Sequence, residues 1–192
     1  MAGPEDVLPD ARYGIVAVAL HWVLAVLIVA TFALGFYMTG LPLSVSRVKL
    51  YSFHKWVGIV ILALSTVRLL WRLSHRAPPL PASPGDGMIR WRNSLHRGTH
   101  LLLYVLFFAV PLSGWAYTAS AGVPVVLFGV LPLPDLVAVD REAAESLFKP
   151  LHRGAALALA ATVLLHSAAA LFHHVSCGDG FLRRIWLWPR RS

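Results

Sequence analysis

The chain has 192 residues, 57% of them hydrophobic and only 14% charged, with a formal net charge of +8 at pH 7 and a mean hydropathy of +0.66. A soluble domain carries about a quarter charged residues, so these proportions exclude an ordinary water-soluble enzyme and describe a chain whose solvent is largely lipid. The excess of base does not point to nucleic acid either. The Lys and Arg residues gather at the ends of long uncharged runs, where they mark a membrane face.

Taken in chain order, residues 1–12 carry Glu5, Asp6 and Asp10 where a signal peptide would be basic. The apolar run that follows is too long for a signal-peptide core, so it is expected to remain as a helix. Residues 13–38 contain no Lys, Arg, Asp or Glu and form the first expected span. The second covers about 50–73, with Lys55 near one end and Arg68 near the other. The stretch 74–94 contains RAPPLPASPGDG and reads as an irregular loop. The third span is about 95–118. The loop 119–148 follows, with an apolar run at 123–130 expected on the membrane surface and DREAAESLFK expected as a short helix leading into the fourth span, 151–175. Each run reaches, alone or with its flanks, the roughly 20 residues that cross hydrocarbon, and backbone polar groups there must be satisfied within the segment. The expected fold is all-α: one integral membrane four-helix bundle over 1–192.

Charge sets the expected direction. Arg72, Arg76, Arg90, Arg92 and Arg97 surround the loop 74–94 against the single acid Asp86, and the tail adds Arg183, Arg184, Arg190 and Arg191. The loop 119–148 instead holds Asp135, Asp140, Glu142 and Glu145. The positive-inside rule puts both termini and the 74–94 loop in the cytoplasm. The single cysteine, Cys177, allows no internal disulfide, and without C-x-x-C-H there is no covalent c-type haem motif.

Nine histidines remain to be explained, most of them in or beside apolar spans, where an ionisable group is a functional hypothesis by default. His152 and His166 are 14 residues apart, close to four turns, and so share a helix face about 21 Å apart. Following the chain in and out of the membrane matches His21 in depth with His166, and His54 with His152. Two imidazoles at each of two depths suit two b-type haems, each held by a histidine on either face. A bare zinc or copper ion would need three or four donors at one depth with carboxylate or thiolate help, and the spans contain no acids. Arg68 lies 14 residues after His54 on the same face. It is expected either to pair with a haem propionate or to reach for cytoplasmic headgroups.

The stretches RYGIVAVALHW, FHKWVGI with VRLLWRL, HLLLYVLFFAVPLSGW and LHRGAALALAATVLLHSAAALFHHV recur in order over residues 12–190. They resemble the bacterial cytochrome b561 family, and within it the superoxide oxidase type. The resemblance implies a protein of the bacterial inner membrane in which His21 and His166 hold a cytoplasmic-side haem b and His54 and His152 a periplasmic-side one. Electrons would pass from superoxide in the periplasm to ubiquinone. It also implies that His100 and His173 lie near the quinone head, with His96 able to relay protons. Arg47, Lys49, Lys55, Lys149 and Arg153 flank the outer ligands in sequence; they suit attraction of an anion, or serve as ordinary span-flanking charges and propionate partners. Expected partners are lipid, quinone and superoxide, with a homodimer or a redox protein left open. The alternative is a cytochrome b subunit relaying electrons between a partner dehydrogenase or hydrogenase and quinone, although such subunits usually carry a further span.

Overall fold

The structure is a computed structural model describing residues 13–75, 86–177 and 185, the side chains of 86–93, 173 and 177 excepted. Most of the Pro-rich loop (76–85), the acidic residues before Tyr13 and the arginines of the tail lie outside the described residues. Among those described, four helices are long and apolar enough to cross a membrane. They are α1 (Ile15–Thr39), α2 (Val45–Ser74), α3 (Asp86–Ser120) and α4 (Arg141–Ser176).

Local chemistry sets the ends. Gly40 closes α1 by donating its N–H to the Tyr37 carbonyl at 3.2 Å. The Ser44 hydroxyl opens α2 by accepting the Arg47 N–H at 3.2 Å, one of the donors a helix start leaves unpaired. Helix α3 begins at Asp86, inside the stretch that Pro and Gly mark as loop. The breakers are concentrated before residue 86.

Helix α4 also starts early, at the cap Asp140, whose carboxylate accepts the Ala143 N–H at 3.0 Å. It widens into a π-turn over Ala144–Phe148 before running as regular α-helix through Lys149–Phe172. Pro150 explains the widening, because it has no N–H for the Ser146 carbonyl and its ring crowds that carbonyl.

In the bundle α1 packs on α2, α2 on α3 and α3 on α4, while α1 and α4 touch only sparingly. Leu24, Ile28, Ile61, Leu103, Leu106 and Leu159 form a buried belt at mid-height. Most other large apolar side chains point outwards, as Phe36, Leu164 and Val175 do. That pattern suits lipid, where burying a leucine between helices gains little over leaving it against acyl chains.

The connection between α3 and α4 is closed at its base. The Ser120 hydroxyl, fully buried, donates to the Asp140 carbonyl at 2.6 Å, and the Asp140 N–H donates to the Ser120 carbonyl at 2.9 Å. The apolar run 123–130 exposes Val123, Phe128 and Val130. It enters a hairpin in which β1 (Val126–Leu127) pairs antiparallel with β2 (Leu131–Pro132). Phe128 at φ 53° and Gly129 at φ 73° make the turn, and only the glycine adopts that conformation without strain. Removing the α4 cap by Asp140→Ala is expected to destabilise the protein by about 1 kcal/mol. Thermal unfolding in detergent checks this, with exposed Asp135→Ala as the unaffected control.

Candidate functional site

The chemistry-bearing side chains form two layers separated by the leucine–isoleucine belt. In the layer nearer the hairpin, His54 of α2 and His152 of α4 face each other with ring centroids 6.3 Å apart and planes 89° apart. The His152 Nδ1 lies 2.9 Å from the Val110 carbonyl. A carbonyl only accepts, so Nδ1 carries the proton and Nε2 keeps its lone pair. The Ser113 hydroxyl donates to the same carbonyl at 2.9 Å and sits 3.4 Å from Nδ1. The His54 Nδ1 is buried and makes no hydrogen bond.

Two glycines complete this layer. A Cβ on Gly35 would lie 3.1 Å from the His54 Cε1, and one on Gly114 only 2.8 Å from the His152 Cε1.

In the opposite layer His21, Arg68, His100 and His166 border one cavity of about 150 Å³, with Ala25, Tyr104 and Ala170 among its walls. The Arg68 Nη2 donates to the His21 Nδ1 at 3.1 Å. Because arginine only donates, the His21 proton then sits on Nε2, and freeing that nitrogen for a metal requires Arg68 to turn to another acceptor. His100 meets His166 edge to face at 5.1 Å, and donates its Nδ1–H to the His96 carbonyl at 2.8 Å. The Trp22 indole N–H donates to the Ile185 carbonyl at 2.8 Å, bringing Ile185 to the same cavity wall.

One rule of spacing builds both layers. His21, Ile28 and Gly35 lie seven apart on α1; His54, Ile61 and Arg68 on α2; His100, Phe107 and Gly114 on α3; His152, Leu159 and His166 on α4. Seven residues are nearly two turns, so each trio shares a face, and its ends stand about 21 Å apart. Gly35 and Gly114 were not among the residues that chemistry singles out. Their signal is positional, since each falls 14 residues after a span histidine.

The expected anion-attracting residues are placed unequally. Lys55 donates to the Pro124 carbonyl at 3.3 Å and Trp56 to the Val126 carbonyl at 2.6 Å, so the two residues after His54 tie the hairpin to α2. Lys149 pairs with Glu145, which also accepts from the Tyr117 hydroxyl at 3.2 Å. The Arg47 guanidinium lies 5.5 Å from the Tyr51 ring centroid, while Lys49 and Arg153 are exposed. Of the quinone candidates, His96 stacks obliquely on His100 at 4.2 Å, and the His173 side chain lies outside the description.

Residues 12–188 match the family described as prokaryotic cytochrome b561. The chain belongs to that family. It is 32% identical over 177 residues to cytochrome b561 homolog 2 of Escherichia coli (strain K12), covering 91% of this chain and 90% of that protein. Identity to cytochrome b561 homolog 1 of the same organism is 27% over 191 residues, 94% and 99% of the two chains. A Yersinia pestis protein named probable superoxide oxidase CybB is 26% identical over 174 residues, 91% of this chain and 95% of the relative.

Membership makes this a multi-pass membrane protein of electron transfer and implies b-type haem. The hairpin-side pair fits such a group. His54 and His152 would hold it between them, their ring centroids 6.3 Å apart leaving room for one metal ion. The Nε2 lone pair of His152 is free for a metal. Trp56→Phe, which removes one tie to the hairpin, is expected to speed amide exchange over residues 124–132 while leaving mid-α2 unchanged, as read by hydrogen–deuterium exchange.

Proposed function

We propose that this cytochrome holds two b haems, one between His54 and His152 and one between His21 and His166, and carries electrons from superoxide to ubiquinone. The observation that carries the reading is the 14-residue ladder, which gives every helix one chemistry-bearing or glycine position at each of two depths. The name of the Yersinia pestis relative supports superoxide as the donor. The balance is two superoxide anions oxidised to two O₂, and one quinone taking two electrons and two protons. Bound haem supplies a one-electron store at each depth.

The chain's own groups do the rest. By the positive-inside rule the hairpin side is periplasmic and the Arg68 side cytoplasmic, in a bacterial inner membrane with both termini inside. Lys49 and Arg153, exposed beside the outer pair, raise the local concentration of an anion, helped by Arg47. Lys55 and Lys149 act mainly through the hairpin and through Glu145. Arg68, turned from His21, meets a propionate as the anion a half-buried guanidinium needs. His100 keeps its Nδ1–H on the His96 carbonyl. In its protonated form it offers the Nε2 proton to one quinone oxygen, with His173 serving the other and His96 relaying protons.

The decisive experiment generates superoxide over the oxidised, detergent-purified protein and follows the visible spectrum. A low-spin reduced band that appears rapidly and is abolished by superoxide dismutase is expected. A band that appears only with dithionite would sink superoxide as donor. It would favour the second reading, a subunit fed by a docked protein. That reading is supported by two of the five candidate cations already having partners and by the exposed Phe128, Val130 and Leu131 of the hairpin region.

Two further outcomes follow. Arg68→Ala is expected to lose haem from the inner site, measured as haem per protein; wild-type content would remove the propionate role. His100→Ala is expected to keep both haems and lose quinone reduction, so missing haem bands in that variant would reassign His100 to ligation.

A further inference from the structure

Each hairpin-side imidazole rests on a glycine of the helix that precedes its own in the chain. His54 of α2 lies against Gly35 of α1, and His152 of α4 against Gly114 of α3. Each glycine stands one turn beyond another residue of its own helix, Thr31 before Gly35 and Val110 before Gly114, and at the second site the Val110 carbonyl takes the His152 Nδ1–H. Residues four apart share a helix face, so there one turn of helix presents both the acceptor and the gap. The opposite layer has no such cradle among the described residues: a Cβ on Gly98, the glycine nearest His100 in sequence, would meet nothing within 4 Å.

We infer that Gly35 and Gly114 are positioning residues, setting the planes and tilt of the His54 and His152 rings and through them the character of the metal those rings hold. The inference rests on the haem assignment above. Its physical content is steric. Any side chain at 114 places a carbon 2.8 Å from Cε1 and 3.0 Å from Nδ1 of His152, closer than non-bonded carbons come, so the ring must move. It cannot simply slide, because Nδ1–H is held by the Val110 carbonyl. At 35 the approach is 3.1 Å and the ring's Nδ1 makes no well-formed hydrogen bond, so His54 yields more easily. Gly114 therefore matters more than Gly35.

Helix propensity acts in the opposite direction. Alanine is the better helix former, so a defect in either variant comes from the ring and not from a weakened helix.

The test is the low-spin ferric EPR spectrum of the oxidised protein, together with haem content. It compares wild type, Gly114→Ala, Gly35→Ala and the control Gly154→Ala, whose new Cβ meets nothing within 4 Å. Wild type should show two low-spin signals, and the one lost in His152→Ala is the hairpin-side signal. Gly114→Ala should shift or abolish that signal and spare the other, Gly35→Ala should shift it less, and Gly154→Ala should leave both alone. Two wild-type signals that stay unmoved in both glycine variants would overturn the positioning role while leaving the haem assignment standing. A wild type without two signals, or a His152→Ala that keeps both, would instead bring down the haem assignment. Should Gly114→Ala fail to accumulate, the milder Gly35→Ala reads the same signal.

Discussion

A ring nitrogen placed among apolar side chains needs a partner, and in a lipid-facing bundle water does not supply one. That constraint is met at three of the histidines here. The proton of His152 goes to the Val110 carbonyl, that of His100 to the His96 carbonyl, and the second nitrogen of His21 takes the Arg68 guanidinium. Each partner fixes which nitrogen remains available. The backbone and Arg68 thus determine the chemistry that each of these three imidazoles offers.

The second constraint is room. Helices in lipid gain little by burying leucines against one another, so they approach where side chains are small. In this protein the small residues admit rings. Gly35 and Gly114 stand where α1 and α3 meet the imidazoles of α2 and α4, within the helix pairs that pack on one another through much of their length. The belt of Leu24, Ile28, Ile61, Leu103, Leu106 and Leu159 then separates the two histidine layers.

The hairpin end shows how neighbouring residues divide tasks. His54 turns into the bundle, while Lys55 and Trp56 turn to the Pro124 and Val126 carbonyls and hold the hairpin there. Across the bundle, Ser120 and Asp140 join the end of α3 to the start of α4. The π-turn before Pro150 lets that start run into the regular helix carrying His152. The cost of charge in this region is met locally, Lys149 by Glu145 and Lys55 by a carbonyl.

The sequence by itself determined the four spans, the family, and the 14-residue spacing of His152 with His166 and of His54 with Arg68. Hydropathy and helical periodicity are properties of a single helix and need no partner to be read. Tertiary structure decided which groups meet. That Gly35 faces His54, that Gly114 faces His152, that Arg68 reaches the His21 ring and that Lys55 serves the hairpin all depend on how two helices are rotated against each other. Glycine carries no chemistry of its own to announce the ring beside it, and a lysine near a span end looks the same whether it meets solvent or a carbonyl. The hairpin was hidden for a related reason: Phe128 adopts a positive φ that its side chain does not favour, and its ring comes within 5.8 Å of the Trp56 ring of α2.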